Sequence, residues 1–250
     1  MNNNLTNKLT RIETNISTMK DNFNLTEDAS IEALKDKVLE KRMVKPMNFS
    51  FEDCKDEVIE NLDLLDISAY SNLGNMFDGC SKVKNLNALR KWDVSQVRDM
   101  GYAFHGCDGI TDFSFLNDWN ASNVTDTAYL FARCDGITEI DLNWTFNSAS
   151  SIEGMFYLCK KLKRIRLKNA TFAAARYASA LFREAESLEE IDIRSAVFST
   201  RSSLSCDRMF FYIPANCLII VKDDAEKNWV LTQRSDLTNV KTVAEYEALN

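Results

Sequence analysis

The chain has 250 residues, 45% of them apolar, and a formal net charge of −7. That balance excludes nucleic acid or an anionic membrane surface as the main partner, because both select concentrated Lys and Arg. No run approaches the ~18 apolar residues of a membrane span, so membrane insertion is not expected.

The start, Met1-Asn2-Asn3-Asn4-Leu5, is polar and lacks the basic stretch and apolar block of a secretory signal. It predicts synthesis that bypasses the secretory route. Seven widely spaced cysteines do not read as a disulfide framework. Residues 1–45 are expected to be helical. Leu5, Leu9, Ile12, Ile16, Met19 and Phe23 are spaced 4, 3, 4, 3 and 4, an a/d heptad seam. Ile12 at d disfavours a dimer and points to three or more chains. The alternative is that this helix packs on a second one near 30–41, whose stripe is Ile31, Leu34 and Val38. The intervening Leu25-Thr26-Glu27-Asp28-Ala29-Ser30-Ile31-Glu32-x-Leu34 resembles openings of tail and appendage proteins of phages of Gram-positive hosts.

From residue 46 to 222 the chain repeats itself. Aligned on Phe77, Phe104, Phe131, Phe156, Phe182 and Phe210, the steps are 27, 27, 25, 26 and 28. Apolar residues recur four before the Phe (Leu73, Met100, Ile152), six after it (Val83, Ile110, Ile137, Leu162, Leu188) and nine after it (Leu86, Phe113, Ile140, Ile165, Ile191, Ile219). Offsets −4, −1, 0 and +3 fit one face of a helix. Offsets +9 and +11 fit one face of a strand. The expected fold is α/β: about six helix-strand units stacked with a parallel sheet, because one unit cannot bury its own apolar face.

Trp92-Asp93-Val94-Ser95-x-Val97-x-Asp99-Met100 with Ala103-Phe104-x-Gly106-Cys107, and the copy at Trp119–Val124, resemble the repeat of BspA-type leucine-rich-repeat surface proteins. The resemblance spans 62–222. Later copies depart from it: Thr171 stands for a Trp and Ala185 for a Cys. It implies a leucine-rich-repeat-like solenoid and says little about function, since such repeats occur in adhesins, lipoproteins and phage proteins.

Residues 223–250 read as a closing cap, with acids opening a short helix at Asp223–Trp229. Trp229, Val240, Val243 and Tyr246 are available to cover the open core.

The search for chemistry yields no catalytic, cofactor or metal set. His105 reads as a solvated helix position. Cys80, Cys107, Cys134 and Cys159 form a linear ladder that cannot converge on a metal, and are expected in the core. The outward strand positions alternate in charge: Glu139 and Asp141, Arg164 and Arg166, Glu190 and Asp192. They form either an inter-strand charge ladder or a recognition strip. The resulting expectation is a non-enzymatic structural and recognition protein, a homo-oligomer docked through residues 1–45. Its expected place is a phage virion, among other virion proteins, displaying a surface for a host protein or glycan. The alternative is a surface adhesin or interaction module on a bacterial cell.

Overall fold

The computed structural model describes residues 50–59, 62–198 and 200–249. The heptad positions Leu5 to Phe23 and the helix expected near 30–41 lie outside the described residues. Among the described residues no helix is long and apolar enough to cross a membrane.

The segment around each repeat Phe is not a helix, which corrects the expectation. Near Phe104, alternate amides close short turns: Ala103 N–H donates to Met100 O (3.1 Å), His105 to Tyr102 O (3.1 Å) and Cys107 to Phe104 O (3.3 Å). The intervening amides donate to the next copy: Met100 to Asp126 O (2.9 Å), Tyr102 to Ala128 O (2.8 Å), Phe104 to Leu130 O (3.0 Å) and Gly106 to Ala132 O (2.9 Å). An α-helix needs every amide on its own i−4 carbonyl. The backbone also turns left-handed at every fourth residue, with φ of 59° at Tyr102 and 65° at Gly106. Tyr129 and Arg133, Gly154 and Leu158, and Ala180 and Glu184 do the same in later copies. This turn column still puts offsets −4, −1, 0 and +3 inward, so it carries the apolar spacing read as a helix face.

Inside, equivalent side chains stack. The rings of Phe51, Phe77, Phe104, Phe131, Phe156, Phe182 and Phe210 follow one another at centroid distances of 5.3 to 6.1 Å. Trp92, Trp119 and Trp144 form a second column. Each indole N–H donates to a carbonyl one copy back: Leu62 O (2.8 Å), Leu89 O (2.7 Å) and Leu116 O (2.9 Å). Where the Trp pattern lapses, Phe146, Phe172, Phe198 and Trp229 take over. The cysteine ladder lies in the core. The Sγ of Cys80, Cys107, Cys134 and Cys159 donates to Phe51 O, Phe77 O, Phe104 O and Phe131 O at 3.0 to 3.2 Å.

The sheet is a parallel five-stranded β-solenoid in sequential order: β1 (Glu139–Asp141), β2 (Arg164–Arg166), β3 (Glu190–Asp192), β4 (Leu218–Val221) and β5 (Val240–Thr242). Ile140, Ile165, Ile191 and Ile219 stand in register. A separate column of parallel bridges joins Asn72, Asp99, Asp126, Ser151, Tyr177 and Ser205. Strands were also expected at Leu86–Ala88 and Phe113–Phe115, but those copies form 3-10 turns at Asn87–Lys91 and Ser114–Asp118. One position distinguishes these copies from the later ones. Asn85 Oδ1 accepts from Asn87 N–H (2.7 Å), and Asp112 Oδ1 from Ser114 N–H (2.7 Å). Such short side chains divert the backbone into a turn. The later copies place Glu139, Arg164 and Glu190 there and stay extended.

At the carboxy end α1 (Asp224–Gln233) is capped by Asp223, whose Oδ1 accepts from Glu226 N–H (3.1 Å). Trp229 stacks on Phe198 at 5.1 Å. α2 (Val243–Glu247) opens with a reciprocal cap between Thr242 and Glu245.

Gly106 separates the two backbones by sign. A Cβ there would meet only Gly79 backbone atoms, at 3.7 Å or beyond. In a helix Gly106→Ala would stabilise by about 0.5–1 kcal/mol. In the left-handed turn it should destabilise by about 1–2 kcal/mol. Urea denaturation distinguishes the two.

Candidate recognition face

The outward side chains of β1 to β3 are brought together as one network. Arg164 Nη1 lies 2.5 Å from Glu139 Oε1, and its Nη2 lies 3.5 Å from Glu189 Oε2. Arg166 donates from Nε to Glu190 Oε1 (3.0 Å), and its Nη1 lies 3.4 Å from Glu139 Oε2. Lys163 reaches Glu189 Oε1 at 3.0 Å, and this hydrogen bond lowers the Glu189 carboxyl below its ordinary range. Each arginine therefore bridges acids of the copies on both sides, Arg166 through Glu139 and Glu190 and Arg164 through Glu139 and Glu189. Such partly exposed pairs are individually weak, but a connected set supports register.

Asp192 does not belong to the exposed strip and corrects the expectation. It is 1% exposed. Arg194 grips it through a fork, Nε to Oδ1 (2.9 Å) and Nη2 to Oδ2 (2.7 Å). Tyr246 and Glu247 of α2 stand beyond Arg194. The strip therefore consists of Glu139, Asp141, Arg164, Arg166, Glu189 and Glu190. Glu189, outside the alternating pattern, was missed because it precedes the strand.

His105 is also corrected. It is half-buried, its Nδ1 lies 2.6 Å from Asp78 Oδ1 one copy back, and its ring meets Tyr102 edge-on. Both residues follow their repeat Phe by one, so the alignment contained the pairing. Tyr102 stacks on Tyr129 at 4.8 Å, and Tyr129 Oη donates to Glu153 Oε1 (3.1 Å). Burial, with the neighbouring Glu153 charge, pushes the Tyr129 hydroxyl up to about 12.

Burial pushes the thiols of Cys80 and Cys159 up to about 12, and those of Cys107 and Cys134 well above the ordinary range. Thiolate is the reactive form, so these groups are inert at neutral pH. Among the described residues no group of three or more His, Cys, Asp or Glu is placed to hold a metal ion.

The family described as Mycoplasma protein of unknown function, DUF285, matches residues 45–170, half of the chain. No curated protein and no solved structure matches. The match fits a surface repeat protein and is compatible with an interaction module. It begins after the segment that resembles phage appendage proteins.

The two kinds of ion pair should respond differently. Asp192→Asn takes the carboxylate from a buried fork and should destabilise by about 1–3 kcal/mol. Glu139→Gln, on the exposed ladder, should change stability by less than about 1 kcal/mol. Denaturant midpoints of the two variants check the difference.

Proposed function

This chain belongs to the family of Mycoplasma proteins of unknown function, DUF285, and from that premise we propose that it is a non-enzymatic recognition module exposed at a surface. The observation that carries this reading is the rung-by-rung array on β1 to β3. The parallel sheet presents a charged pair between successive copies, Glu139 beside Arg164 and Arg166 beside Glu190. Such a face offers fixed spacing to an extended partner, a protein or a glycan. We read the stack as a BspA-type surface repeat in which the turn column replaces the helical half.

Residues 1–45 attach the module or assemble it into three or more chains through Leu5, Leu9, Ile12, Ile16, Met19 and Phe23. The BspA-type resemblance of the repeat suits a cell surface. The resemblance of Leu25–Leu34 to phage appendage proteins favours a second setting, a virion.

Antibodies against the solenoid should label intact cells that make the protein, or purified particles in the virion setting. Label confined to the cell interior would contradict surface display. For attachment, light scattering of the full chain should give a trimer or larger, and Ile12→Asp with Ile16→Asp a smaller species. A wild type that is already monomeric would contradict self-assembly.

A further inference from the structure

Away from the sheet face, the corner between consecutive copies forms a depression of about 520 Å³. Arg176, Tyr177, Arg201, Ser150, Ser202 and Ser203 line it. No Asp or Glu is among the described residues that line it, although the chain carries a net charge of −7.

The two guanidinium groups differ in a useful way. Arg201 is fixed: its Nε donates to Val197 O (2.6 Å) and its Nη1 to Ala173 O (2.6 Å). Among the described residues nothing accepts from its Nη2. A guanidinium held on two carbonyls keeps its remaining donors at a set position, and planar donors suit carboxylate and sulfate oxygens. Arg176 is exposed, and no carboxylate or carbonyl among the described residues accepts from its side chain. On the sheet face Arg164 and Arg166 are both committed to carboxylates, which Arg176 is not.

Beside the two arginines stands Tyr177, 54% exposed although it belongs to a bridge column inside the stack. An exposed ring has an apolar face and a polar tip, and it covers a flat ligand with little loss of side-chain freedom. The serine hydroxyls both donate and accept, as a polyol requires.

We propose that this corner binds an anionic sugar unit, a pyranose bearing sulfate. Arg176 and Arg201 take the anion, Tyr177 takes the ring face, and Ser202 and Ser203 take the hydroxyls. The site is distinct from the sheet strip and does not depend on what that strip recognises.

The test is calorimetric titration of the full chain with a heparin-derived tetrasaccharide, its desulfated counterpart, inorganic sulfate and a glutamate-rich peptide. The sulfated tetrasaccharide should bind, weakening as salt is raised. The other three probes should bind at least about tenfold more weakly, as expected when a charge-assisted contact or the ring contact is missing. Arg176→Ala, which breaks no described contact, should weaken the tetrasaccharide by about tenfold or more. Tyr177→Ala should weaken the tetrasaccharide while leaving inorganic sulfate unchanged. Glu139→Arg with Arg164→Glu, on the sheet face, should leave its affinity unaltered, which separates this site from the sheet reading. No binding of the sulfated tetrasaccharide, or unchanged affinity in Arg176→Ala, overturns the proposal. Equal binding of inorganic sulfate or of the peptide overturns the assignment to a sugar.

Discussion

The structure depends on one sharing of backbone hydrogen bonds. Around each repeat Phe from Phe77 to Phe182, every second amide closes a turn within its own copy and the others donate to the next copy. Neither set suffices alone. The turns direct the Phe and its neighbours inward, and the bonds between copies hold the inward residues in register. Left-handed residues with a Cβ, such as Tyr102, Arg133 and Leu158, are the local strain this arrangement contains. Stacked phenylalanine rings, indole-to-carbonyl bonds and the thiol ladder all follow from that register. The Phe77 carbonyl illustrates the coupling: it accepts from Cys80 N–H in its own copy and from Cys107 Sγ in the next.

The same register organises the surface. Identical offsets in successive copies are neighbours in space, so the outside reads as columns. One column is Glu139, Arg164 and Glu190, tied by Arg166 of the adjacent column into the charge network. Another pairs Asp78 with His105. A third, six residues before the Phe, brings Ser150 and Arg176 to one corner. Polar groups thus meet across copies, where no pair is close in sequence. The interior keeps thiols and packed rings with apolar replacements, such as Phe172 for Trp and Ala185 for Cys, while charge and polarity vary in the outer columns. That division suits a scaffold whose recognition properties change by substitution without disturbing the stack.

The core was legible because it is periodic: Phe, Cys and Ile columns fall where the alignment puts them. The helix was misread because offsets −4, −1, 0 and +3 are inward in a turn column as well as in a helix. Apolar spacing alone cannot separate the two, but the glycines at 79, 106 and 154 stood at left-handed positions. The first two strands were misread because Asn85 and Asp112 are short enough to bond the amide two residues on, while Glu139 in the same offset is not. Asp192 looked outward by alternation, yet Arg194 encloses it with α2 behind, a contact between segments far apart in sequence. The heptad positions of residues 5–23 lie outside the described residues, so that reading stands on spacing.

Scalar couplings across hydrogen bonds, measured by NMR on the labelled full chain, test the backbone arrangement most directly. The account predicts a coupling from the Phe104 amide nitrogen to the Leu130 carbonyl carbon, and the equivalent one from Phe131 to Met155. A coupling from Phe104 to Met100, the i−4 partner within one copy, would contradict it and restore a helix.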